Sequence, residues 1–104
     1  MRMLLSAKIP HETFNAAVRD GSAGRKLQQI LDDTKPEAVY FYEDGGKRGG
    51  LMVVTLEKTS QIPAIAEPWF LAFNATISFR PVMNPQDLAA AGPSIAKAAK
   101  EYGK

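Results

Sequence analysis

The sequence predicts a small α+β domain of β-α-β-β-α-β order, a four-stranded antiparallel sheet with helices on one side and a helical extension over 84–104. Residues 3–9 and 75–82 each alternate apolar and polar side chains, the period of a half-buried strand. Two further strand-like runs, 38–42 and 51–56, flank a glycine-rich segment. Between these strands, apolar residues recur at the three-to-four spacing of helices. At 104 residues and 45% hydrophobic content, the chain has the size and composition of one globular domain.

In the first strand Met3, Leu5, Ala7 and Ile9 share one face, and Leu4, Ser6 and Lys8 share the other. Pro10 stops it. A helix starting at His11 or Thr13 follows, with Phe14, Val18, Leu27, Ile30 and Leu31 as its apolar stripe, ending near Asp33 before Pro36. Gly21 and Gly24 continue that stripe. Each glycine costs about 1 kcal/mol in a helix interior, so a close-packing point or a break into two shorter helices is expected here. The run Gly21-Ser22-Ala23-Gly24-Arg25-Lys26 lacks the spacing of a phosphate loop and does not lie between a strand and a helix start.

Ala38-Val39-Tyr40-Phe41-Tyr42 and Leu51 to Leu56 read as two strands of a hairpin, with Glu43 to Gly50 as a flexible, exposed turn. No helix follows this turn to supply an anion-binding N-terminus. Thr59 reads as the N-cap of a short helix that carries Pro63 in its first turn and bends at Pro68, with Trp69, Phe70, Leu71 and Phe73 in its second half. In the last strand Ala75, Ile77 and Phe79 oppose Thr76, Ser78, Arg80 and Val82. Asn84 as N-cap and Pro85 at the first helical position begin the extension, which Gly92-Pro93 divides. Its narrow apolar face is Leu88, Ala91, Ile95, Ala98, Ala99 and Tyr102, suited to docking on its own domain or on a neighbour's.

Composition removes several function classes. Thirteen basic against eleven acidic residues give a net charge of +2, without the cationic clustering that binding to nucleic acid needs. The third strand, Leu51 to Leu56, also lacks the basic, glycine and aromatic pattern of an RNA-binding sheet. With no Cys and a single His, disulfides, thiolate chemistry and a metal site are not expected. The N-terminal residues lack the continuous apolar core of a signal peptide, and no run approaches the ~20 apolar residues of a membrane span. The expected address is the cytoplasm.

The order of elements, Ala66-Glu67-Pro68-Trp69-Phe70-Leu71, and Ser78-Phe79-Arg80-Pro81-Val82-Met83 together resemble small bacterial proteins of the dimeric α/β-barrel superfamily, which is built on the ferredoxin-like fold. The resemblance covers nearly the whole chain and rests on topology and a few aromatic and proline landmarks. It implies a homodimer in which two sheets pack face to face. Known members of the superfamily include cofactor-independent monooxygenases, haem-degrading enzymes, muconolactone isomerases and stress-responsive proteins. A shared fold does not carry function.

If Met3, Leu5, Val39, Phe41, Ile77 and Phe79 face the helices, the opposite face presents Ser6, Lys8, Tyr40, Tyr42, Ser78 and Arg80. Burying that face against a symmetry mate closes a two-fold interface around a small pocket. Lys8, Tyr40, Tyr42, Ser78 and Arg80 are therefore the expected ligand-binding residues, suited to a small anionic or aromatic molecule and requiring no cofactor. This reading asks that Arg80 and a tyrosine hydroxyl come within hydrogen-bonding distance. A cofactor-independent monooxygenase or isomerase is the second reading, and would need a perturbed acid or base among His11, Lys8 and the tyrosines. A non-catalytic interaction or regulatory module is the third, favoured if the sheet face is fully packed. His11 at a helix start is expected to be exposed or capping, Trp69 to be core, and Asp32-Asp33 and Glu43-Asp44 to be solvated.

Overall fold

A computed structural model describes residues 1–104. Four strands, β1 (Arg2–Ile9), β2 (Ala38–Asp44), β3 (Lys47–Thr55) and β4 (Thr76–Pro81), form one antiparallel sheet in the order β2-β3-β1-β4. Helices α1 (His11–Arg19) and α2 (Ala23–Thr34) connect β1 to β2, α3 (Ile62–Phe73) connects β3 to β4, and α4 (Pro85–Ala90) and α5 (Gly92–Tyr102) follow. The sheet and its two crossovers make the ferredoxin-like α+β fold.

Alternation along the strands decides which face is covered. Met3, Leu5, Ala7, Ile9, Met52 and Val54 are buried, and they form one core with Ala17, Ile30, Trp69 and Phe73 from the helices. Phe73 and Leu5 are fully inaccessible at 0% exposure. The Trp69 indole N–H is buried within this core without a protein acceptor.

Of the two readings of the Gly21–Gly24 segment, the break into two helices is the one observed. The Asp20 carboxylate accepts the Ser22 backbone N–H at 2.8 Å, and Gly21 takes φ 81°, a left-handed value that favours glycine. Gly21 thus serves the corner rather than a packing stripe. Gly24, in the first turn of α2, has open space where a Cβ would stand, so it is no close-packing point either.

The expected eight-residue flexible turn is also corrected. Only Gly45 and Gly46 turn, with φ 59° and 85°, the paired left-handed values of a two-residue hairpin. Around them Asp44 pairs with Lys47 and Glu43 with Arg48, so the alternating charges lie opposite one another across the ladder. Tyr42 pairs with Gly49 and Phe41 with Gly50. A Cβ on Gly49 would stand 3.2 Å from Tyr42 Cζ, and one on Gly50 would stand 3.5 Å from the Phe41 ring. Aromatic side chains lie over these glycines on each face and supply the packing the glycines lack.

Thr59–Gln61 form a 3-10 turn ahead of α3, rather than its first turn. The 12 residues of α3 run through Pro68, so the helix is of ordinary length rather than short. Asn74, at φ 53°, ends it, and the Thr13 hydroxyl donates to the Phe73 carbonyl at that end.

The extension divides where Gly92-Pro93 predicts, and the Asn84 side chain accepts the Asp87 N–H at 2.7 Å to cap α4. No residue of α4 or α5 is buried. The molecule measures 61 × 29 × 20 Å with a radius of gyration of 17.7 Å. A compact chain of this length would have a radius of about 13 Å, so the extension projects as an arm. No helix is long and apolar enough to cross a membrane.

Candidate functional site

The strand register places every expected ligand residue on the sheet face away from the helices. Across that face Ala38, Val53, Leu4 and Arg80 form one row, Tyr40, Leu51, Ser6 and Ser78 the next, and Tyr42, Gly49, Lys8 and Thr76 a third. The Ser6 and Ser78 hydroxyls meet at 2.5 Å, and Lys8 Nζ lies 3.9 Å from Asp44 Oδ1. Arg80 has no carboxylate within ion-pairing distance. Tyr40 and Tyr42 lie on β2 and Arg80 on β4, the opposite edges of the sheet. Three strand spacings of about 4.8 Å separate those edges, roughly 14 Å. Within one chain Arg80 therefore does not reach a tyrosine hydroxyl, and that contact requires a second chain. The face is uncovered, with Tyr40 68% exposed.

A second concave region, on the helix side, was not anticipated. Between the hairpin end of the sheet and helices α1 and α2 lies an open groove of about 610 Å³. Ile9, Phe14, Leu27 and Phe41 supply its apolar walls, and His11, Glu43, Lys47 and Arg48 its polar rim. Tyr42 is the one expected ligand residue that also lines it. The volume lies within the range of about 300–1,000 Å³ typical of small-molecule sites.

Strand alternation brings Arg48 here. It pairs with Ile9 and Glu43, so its side chain rises on the helix face. Its Nη1 donates to Asn15 Oδ1 at 2.9 Å, and its Cζ lies 4.5 Å from the centroid of the Phe14 ring. Phe14 in turn stacks on Phe73 at 5.2 Å, which ties the groove wall to the core. Glu43, the nearest carboxylate in sequence register, is engaged elsewhere, its Oε2 accepting the Gly46 N–H at 2.7 Å. No carboxylate pairs with Arg48. A guanidinium has five N–H donors in a planar fork, and Asn15 takes one of them.

His11 is exposed at the first position of α1, on the groove rim. Trp69 is core, 1% exposed. No cluster of three or more His, Asp or Glu side chains has the arrangement of a metal site. Sequence reading missed Arg48 because Glu43 to Gly50 read as a turn, whereas Arg48 belongs to a strand. Lys47-Arg48-Gly49-Gly50 carries no apolar alternation to mark it as strand, and the pairing with β1 and β2 alone makes it one.

A scan against protein-family models finds no match, and a search of curated proteins finds no relative. Among solved structures, the chain is similar to the de novo designed protein Ferredog-Diesel, with 10% identity over 78% of this chain and 85% of that one, at a TM-score of 0.44. It is also similar to a Deinococcus radiodurans protein described, by inference, as an antibiotic biosynthesis monooxygenase, with 11% identity over 81% of this chain and 94% of that one, at a TM-score of 0.41. At these identities and scores neither likeness bears on chemistry.

Proposed function

We propose that this protein binds a small molecule with an apolar, planar body and an anionic group in the groove between α1, α2 and the β2–β3 hairpin, and that it works as a homodimer joined through its open sheet faces. The observation that carries the ligand reading is Arg48, a cation held against Phe14 with no carboxylate to neutralise it. An arginine fork matches a carboxylate or phosphate bidentately, and such charge-assisted bonds are the strong ones. Phe41 offers a ring face to the ligand body, Phe14 being covered by Arg48 and Phe73, and Ile9 and Leu27 exclude water from one side. His11 at the rim is the available acid or base should the bound molecule be transformed rather than only held.

The dimer reading rests on the open face, where Leu4, Leu51, Val53, Tyr40 and Tyr42 are left to solvent or half-covered. In a two-fold pairing, Lys8, Ser78 and Arg80 join these tyrosines along the seam. A ligand held between the faces by Lys8, Tyr40, Tyr42, Ser78 and Arg80 is the second reading, supported by the unpaired Arg80.

Titration of the labelled protein with 2-naphthoate, followed by amide chemical shifts, separates the two sites. The groove reading expects shifts centred on His11, Phe14, Phe41 and Arg48. It also expects Arg48→Met to weaken binding by at least about tenfold, the effect of losing ~1.5–3 kcal/mol of charge-assisted hydrogen bonding. Shifts centred on Tyr40, Ser78 and Arg80, abolished by Arg80→Met and untouched by Arg48→Met, would move the site to the open face.

A further inference from the structure

The arm formed by α4 and α5 is helical without support from its own domain. Asn84 and Asp87 cap its start, and the Ile95 N–H donates to the Ala91 carbonyl at 3.0 Å to begin α5 directly after α4. Leu88 on α4, and Ile95 and Tyr102 seven residues apart on one side of α5, are 52%, 55% and 83% exposed. A helical segment of this length is marginal in water on propensity alone, and large apolar residues left exposed along it mark a docking face.

The arm leaves the domain at the margin of the open sheet face. The Val82 N–H donates to the Arg2 carbonyl at 3.1 Å, and the Asp87 carboxylate is close enough to Arg2 to add to the acidic surroundings that raise the guanidinium's pKa, Glu37 being the larger influence. Arg2 lies in the same alternating set as Leu4, Ser6 and Lys8, so the arm starts beside the surface on which a second copy would sit.

Area decides what the arm contacts. Four strands of about 25 Å, each ~4.8 Å wide, give the open face a footprint of roughly 500 Å², short of the ~800 Å² per partner of a stable interface. The arm, about 26 Å long with a stripe ~10 Å wide, adds roughly 250 Å² and brings the total close to that standard. We infer that the arm is an interface element that packs Leu88, Ile95 and Tyr102 onto the second copy of this chain, completing the dimer begun by the open sheet faces. This inference rests on the dimer reading above.

Sedimentation equilibrium on the full-length protein, with Leu88→Glu/Ile95→Glu and, separately, Tyr40→Glu, tests both. All three positions are exposed in the single chain, so none of these changes disturbs the core. The expected result is a wild-type dimer whose dissociation constant rises at least about tenfold in the arm variant and also in Tyr40→Glu. An arm variant within about twofold of wild type, with Tyr40→Glu still dissociating, overturns the arm and leaves the sheet interface standing. Dissociation of the arm variant with Tyr40→Glu unaffected overturns the sheet-face dimer and, with it, the arm's role in completing that interface. A wild-type monomer at 100-micromolar order overturns both.

Discussion

The Arg48 guanidinium carbon lies 4.5 Å from the centroid of the Phe14 ring, which joins the second residue of β3 to the fourth residue of α1. Cation–π pairs of this kind contribute about 0.5–1 kcal/mol at partly exposed sites. A double-mutant cycle of Arg48→Met and Phe14→Leu, read by urea unfolding, is expected to give a coupling of about that size. A coupling of zero would mean that the stack does not persist in solution.

The hairpin turn separates its two glycines. Gly45, at φ 59°, occupies a position that asparagine tolerates, so Gly45→Asn is expected to leave stability unchanged or raise it by up to about 1 kcal/mol. Gly46, at φ 85°, also takes the left-handed value, and Gly46→Ala is expected to cost about 1–2 kcal/mol. Both follow from equilibrium unfolding, and equal effects at the two positions would contradict the turn geometry.

Two neighbours on α3 should respond oppositely to the same truncation. Phe73 is fully buried and carries the Phe14 stack, so Phe73→Ala is expected to cost about 3–5 kcal/mol and to abolish groove binding. Leu71 is 82% exposed, and Leu71→Ala should stay within about 0.5 kcal/mol of wild type. Chemical denaturation measures both.

Asp20 gives the corner between α1 and α2 a pH dependence. The neighbouring Ser22 hydroxyl, and after it the Ser22 N–H that the carboxylate accepts, hold its pKa below the usual carboxylate value. A carboxyl whose pKa is lower in the folded chain contributes stability that is present at neutral pH and is lost as pH falls through the acid range toward that depressed value. The melting temperatures of wild type and Asp20→Ala should therefore differ at pH 7 and converge toward pH 3. A difference independent of pH would assign the effect to the side chain's shape rather than its charge.

The element order was legible because binary patterning is local. The alternation of Met3, Leu5, Ala7 and Ile9 against Leu4, Ser6 and Lys8 identifies both the strand and its covered face, and the same holds for Ile77 and Phe79. Pro10, Pro36 and Gly92-Pro93 mark boundaries by steric exclusion, whereas α3 runs through Pro68. The open face, with Lys8, Tyr40, Tyr42, Ser78 and Arg80 on one side of the sheet, follows from the same parity.

What only the tertiary structure decided is pairing between distant segments. Gly49 and Gly50 read as turn residues alone, yet Tyr42 and Phe41 across the ladder make them strand, and this puts Arg48 on the helix face beside Phe14. The groove brings residues of β1, α1, α2 and the hairpin to one place, a relation in space rather than in sequence. The separation of Arg80 from the tyrosines likewise depends on strand order, which places β2 and β4 at opposite edges. Side-chain parity belongs to each strand, whereas neighbourhood depends on hydrogen-bond register and packing between segments far apart in the chain.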